Sequence, residues 1–95
     1  MSCYFVAQIA ITDRDLYQRY LDGFDQVFRQ YEGTVVAVDD APEVLEGAWD
    51  RTRIVLIRFP DEAALKRWYG SEAYQALARY RQQASRADVL LVHGR

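Results

Sequence analysis

The chain has 95 residues, about half of them hydrophobic, and a formal net charge of −2. That length makes one domain, residues 1–95, with a small but adequate core, and the composition is globular and not disordered. The balance of charge argues against nucleic acid as a partner: the basic residues are scattered, and eleven of the twelve are arginine.

The chain opens on "CYFVAQIAI", Cys3–Ile11. Cys3, Phe5, Ala7, Ile9 and Ile11 form one face of this run, and Tyr4, Val6, Gln8 and Ala10 the other. Both sets are largely apolar, which predicts a strand buried on both sides. The start lacks the basic and apolar regions of a signal peptide, so none is expected, and no apolar run approaches the ~18 residues of a membrane span. Cys3 is the only cysteine, which leaves no internal disulfide or Cys-based metal site to expect and marks it as a buried, inert thiol. A cytoplasmic, bacterial-type protein fits these signs.

Thr12, with Asp15 three residues on, has the spacing of a helix capping box. A helical stripe follows through Leu16, Tyr17, Tyr20, Leu21, Phe24, Val27, Phe28 and Tyr31, with Gly33 placed as a C-terminal cap. "TVVAV", Thr34–Val38, is β-branched and predicts a second strand. "DDAP" is a turn or an irregular edge, and "EVLEGAW" is ambiguous, with a short edge strand carrying Gly47 as a bulge or turn as its reading. "RTRIVLIRF", Arg51–Phe59, is a third strand with Ile54 and Leu56 on one face and Val55, Ile57 and Phe59 on the other. Pro60 ends it and Asp61 caps the next helix. Gly70 stops that helix and Ser71 starts another, which carries Tyr74, Leu77, Ala78 and Arg81 on one face. "DVLLV", Asp88–Val92, is the last strand, followed by His93.

The order β-α-β-β-α-β, with right-handed crossovers, predicts an α+β fold: a four-stranded antiparallel sheet with its helices on one face, the ferredoxin-like arrangement. Helices on one face leave the other bare. Val6, Ile54, Leu56 and either Val89/Leu91 or Leu90/Val92 would then meet water, which predicts a homodimer with two sheets face to face.

Chemistry is sparse. The chain has no phosphate loop, no nucleophile motif and no cluster spaced for a metal, so neither a metal nor a cofactor is expected. His93 is the only side chain that titrates near neutrality unperturbed. Arg81 is the oddity, a cation in register with apolar residues, which needs a partner, either protein or an anionic ligand, or snorkels to the surface. Trp68, Tyr69 and Tyr74 have core spacing as well as ligand-box character. Gln8 is the polar exception at the centre of the first strand, and Arg53 and Arg58 are rim charges on opposite faces of the third.

The segments "YFVAQIAITDRDLYQRY", "VLEGAW", "RIVLIRFPDEAALKRWYGSEAYQAL" and Arg81 resemble the domain of unknown function 1330 family, within the dimeric α/β-barrel superfamily. The matching positions are Tyr17 and Tyr20; Leu45, Glu46, Gly47 and Trp49; Phe59 and Pro60; Trp68, Tyr69, Ser71 and Tyr74; and Arg81. The chain departs from the pattern in two places: Arg58 stands where the family usually has an acid, and Asp39 and Asp40 replace a typically glycine-containing turn. The resemblance implies a ferredoxin-like dimeric barrel and leaves the activity open. Superfamily relatives include cofactor-free monooxygenases, muconolactone isomerases and haem enzymes, and haem is the least suited to a chain whose one histidine lies at the end of its last strand. The expected ligand is a small aromatic or anionic molecule held between sheet and helices, walled by Tyr17, Tyr20, Trp68 and Tyr74 and oriented by Arg81. Tyr17, Glu46 and His93 are the candidates for moving a proton in isomerase- or monooxygenase-like chemistry. The competing expectation is a non-catalytic dimeric module whose aromatics are core.

Overall fold

The computed structural model describes all residues, 1–95. Strands β1 (Cys3–Ile11), β2 (Thr34–Asp39), β3 (Arg53–Phe59) and β4 (Ser85–His93) form one sheet in the order β2-β3-β1-β4, with every neighbouring pair antiparallel. Helices α1 (Arg14–Phe28), α2 (Glu62–Tyr69) and α3 (Glu72–Ala84) cover one face. This is the expected ferredoxin-like α+β topology. No helix is long and apolar enough to cross a membrane.

The core lies between the helices and the odd-numbered face of β1. Cys3, Phe5, Ala7 and Ile9 are buried there beside Ile57 and Phe59 of β3. Trp68 is the hub. Its ring stacks on Phe59 with 5.3 Å between centroids, meets Phe5 edge-on at 5.0 Å, and contacts Tyr74 at 4.2 Å. Offset and edge-on contacts of this kind add about 0.5–1.5 kcal/mol per pair beyond burial.

Local signals differ from expectation in detail. Asp13, not Thr12, caps α1: its carboxylate accepts from the Leu16 backbone N–H at 3.0 Å. Asp61 and Ser71 cap α2 and α3 as their side chains predict. Gly33 is not a helix cap, because α1 ends at Phe28. A Cβ there would lie 2.6 Å from the Phe28 ring and 2.8 Å from the Phe59 ring, so the residue serves close packing. "EVLEGAW" forms no strand; Gly47, with φ +86°, turns an irregular connection between β2 and β3. β4 begins at Ser85, directly after α3.

The even-numbered face of β1 points away from the helices. Val6 pairs with Leu56 on one side and Leu90 on the other, so Leu90 and Val92 are the outer pair of β4. Leu90 is 50 % exposed and Val92 42 %. Only one end of this face is covered. There Trp49 donates its indole N–H to Gln8 Oε1 at 3.0 Å, and Arg51 pairs with Asp88. Gln8 therefore anchors the long connection.

Candidate functional site

Helical spacing sets Tyr17, Tyr20, Leu21 and Phe24 along the side of α1 that faces the sheet. The small side chain of Ala7 at the middle of β1 leaves room beneath them. The result is a cleft of ≈ 80 Å³ between α1 and the β2-β3-β1 part of the sheet. It has space for several waters, and falls below the roughly 300–1,000 Å³ of drug-sized sites. Eleven of its thirteen lining residues are hydrophobic; the two others are Arg53 and Arg81. Val35 and Val38 of β2, both more than 40 % exposed, lie along its open side. A shallower, more polar depression shares Tyr17, Leu21 and Arg53 with the cleft and continues it toward Arg14 and Gln18.

Arg81 reaches the cleft from the last turn of α3 and is only 3 % exposed. It forms no salt bridge, and its buried Nε has no hydrogen-bond partner. Its guanidinium lies 5.7 Å from the centroid of the Tyr20 ring. Burial works against its charge, but the phenols of Tyr74 and Tyr20 more than offset this and raise its pKa. Arg53 sits 5.6 Å from the centroid of the Tyr17 ring and, unlike Arg81, has an acid partner, Asp40, at 2.7 Å.

The tyrosines have distinct places. Tyr20 and Tyr74 share a buried hydrogen bond of 2.7 Å between their hydroxyls. Burial, followed by the Tyr74 phenol, pushes Tyr20 well above the ordinary phenol range. Burial also raises Tyr74, against the opposing pull of Arg81. Tyr17 is raised by burial too, with Arg53 and Arg81 pulling the other way. All three phenols are therefore protonated at neutral pH and act as donors, not bases.

Of the residues singled out in the sequence, Tyr17, Tyr20 and Arg81 line the cleft together. Trp68 and Tyr74 do not reach it: both are fully buried behind its wall, and Tyr74 touches the site through Tyr20. Glu46 is exposed on the irregular connection. His93 lies at the far end of the sheet, where its Nε2 is 2.8 Å from Glu62 Oε1. Arg53 is the cleft residue that strand reading left on the rim; its shared parity with Val55 and Ile57 is the signal that places it inward. The fold also gathers Cys3, Glu62 and His93, whose donor atoms lie within 4.8 Å of one another. Sequence spacing gave no sign of such a group, since it depends on strand register.

The family described as a domain of unknown function (DUF1330) matches residues 2–95, and the chain belongs to it. No curated protein sequence matches the chain. Among solved structures, a protein of unknown function from Rhodopseudomonas palustris aligns over 99 % of this chain and 82 % of its own, with TM-score 0.79 and 16 % identity. A dimeric ferredoxin-like protein of unknown function from Jannaschia sp. CCS1 aligns over 99 % and 100 %, with TM-score 0.74 and 15 % identity. SnoaB, a cofactor-independent oxygenase from Streptomyces nogalater, aligns over 99 % and 93 %, with TM-score 0.71 and 15 % identity. At these identities the likeness is one of fold.

Proposed function

We propose that this protein is a homodimer that binds a small carboxylate with an apolar or aromatic body in the cleft between α1 and the sheet. Arg81 carries the reading. This buried cation has phenols but no acid beside it, so a ligand that brings a countercharge finds a direct partner there. The cleft around it offers apolar walls, a second arginine and phenol donors, which together suit an anionic head on an apolar body. Binding is favoured over proton-transfer catalysis because no histidine, aspartate or glutamate lines the cleft and its phenols are held protonated. The cofactor-independent oxygenase shares the fold, and that likeness alone does not extend its activity to this chain.

The dimer follows from the bare sheet face. The chain is a slab of 33 × 32 × 16 Å, broad enough for a face-to-face contact on the scale of the ~800 Å² per partner that a standard stable interface buries. The dimeric description of the Jannaschia protein is in keeping with this. The single buried cysteine fits a reducing, cytoplasmic setting.

The test is a thermal-shift and calorimetric titration with benzoate and pyruvate, using acetamide as an uncharged control. Saturable binding of a carboxylate to the native chain, lost in Arg81→Met, is the expected result. Equal responses of native and Arg81→Met protein would overturn the reading.

A further inference from the structure

We propose that Cys3, Glu62 and His93 form a binding site for one divalent transition-metal ion of the zinc type, separate from the cleft. The three side chains come from three elements. Cys3 and His93 are cross-strand partners in the β1–β4 ladder, and therefore share a face. Glu62 is the first residue of α2, whose start is fixed by Asp61 accepting from the Ala64 backbone N–H at 2.8 Å. The ladder is pinned just beyond the pair by Gly94 N–H donating to Ser2 O at 2.7 Å. A Cβ on Gly94 would lie 2.6 Å from that oxygen, so glycine is what allows the strand ends to close here.

The donor set is one sulfur, one imidazole nitrogen and one carboxylate oxygen, a combination that suits zinc and its neighbours better than calcium or magnesium. Zinc–ligand distances of about 2.0–2.3 Å place donors roughly 3.3–3.6 Å apart in a tetrahedral site. Here His93 Nε2 and Glu62 Oε1 stand 2.8 Å apart, and all three donors fall within 4.8 Å, so side-chain adjustments suffice. Lys66 occupies the other carboxylate oxygen, Glu62 Oε2, at 2.7 Å and leaves Oε1 to the ion. Cys3 is buried beneath, while the His93 and Glu62 side chains are 65 % and 45 % exposed, which gives the ion a route from solvent. On binding, the Cys3 thiol releases its proton to water, the imidazole offers its Nε2 lone pair, and a water fills the fourth position.

The site lies at the Cys3 end of β1, whereas Arg53 pairs with Ile9; six residues of strand separate them, roughly 20 Å. The inference is thus independent of the ligand proposed for the cleft. Its test uses untagged, reduced protein titrated with Co²⁺ and then Zn²⁺. Expected are a thiolate-to-cobalt charge-transfer band that saturates at one ion per chain, displacement of that band by Zn²⁺, and its loss in Cys3→Ser. Cys3 is buried, so the exposed His93 provides a second measurement that leaves the core intact: in His93→Ala zinc affinity should fall about tenfold or more. Absence of the band at saturating Co²⁺, or zinc affinity indifferent to His93→Ala, would overturn the proposal.

Discussion

Replacing Arg81 with methionine separates a ligand-binding arginine from a structural one. The side chain is 3 % exposed and has no acid partner, so removing its charge strands no opposite charge. Substituting buried charged groups by apolar residues of similar volume is often neutral or stabilising by about 1–4 kcal/mol. Against this stand the contact with the Tyr20 ring, about 0.5–2 kcal/mol, and the favourable position in the last turn of α3, about 0.3–1 kcal/mol. The Tyr20–Tyr74 hydrogen bond is made directly between the two hydroxyls. The net expectation for Arg81→Met without ligand centres on no change and stays within about 3 kcal/mol either way, with each kcal/mol shifting Tm by roughly 4–8 °C in a domain of this size. With a carboxylate at a hundred times its Kd the native chain gains about 2.7 kcal/mol, and the variant gains nothing. Calorimetric unfolding with and without benzoate measures both. A loss of about 3 kcal/mol or more in ligand-free Arg81→Met would refute the reasoning, because it would show that Arg81 holds the fold together.

Leu90→Asp places a charge in the middle of the bare sheet face, at a position already half exposed in the single chain. Sedimentation should show a folded monomer for this variant and a dimer for the native protein. Gly33→Ala forces a methyl against the rigid Phe28 and Phe59 rings and should cost about 1–3 kcal/mol in denaturant unfolding, whereas Gly23→Ala meets only the mobile end of Leu77 and should be close to neutral. Asp13→Ala removes the α1 cap and should cost about 1 kcal/mol by the same measurement. Tyr20 has a raised folded pKa, so its contribution to stability is constant below the unfolded value near 10.0 and is lost as pH rises from there toward the folded value. Phenolate absorbance assigned by difference from Tyr20→Phe should therefore appear only together with alkaline unfolding.

The fold was legible because alternation in the strands and one long amphipathic stripe leave few topologies open. Val6, Ile54 and Leu56 marked a two-sided sheet before any register was known, while the last strand left Val89/Leu91 and Leu90/Val92 both open; the register then set Leu56 and Leu90 on either side of Val6. Caps were legible where a single polar residue preceded a helix, at Asp61 and Ser71, and misplaced by one residue where Thr12 and Asp13 competed. Gly33 misled because a glycine after a helix signals a cap, while here the rings on either side exclude a Cβ. The site was half legible. Arg81 stood out as a charge on an apolar helix face, but the depth at which Trp68 and Tyr74 sit depends on packing that spacing does not encode.

What distinguishes the two ends of the molecule is how their charges are satisfied. At the Cys3 end, Glu62 already has Lys66 and His93 for partners, and hydrogen bonds from them hold its carboxyl below the ordinary range. A metal there would replace an existing contact. In the cleft, Arg53 has Asp40, but Arg81 has only phenols, which are neutral at working pH. The protein thus buries one cation without a countercharge and surrounds it with apolar wall. Neutral donors cannot supply that charge, so the carboxylate proposed for the cleft would give Arg81 the acid partner that Arg53 finds in Asp40.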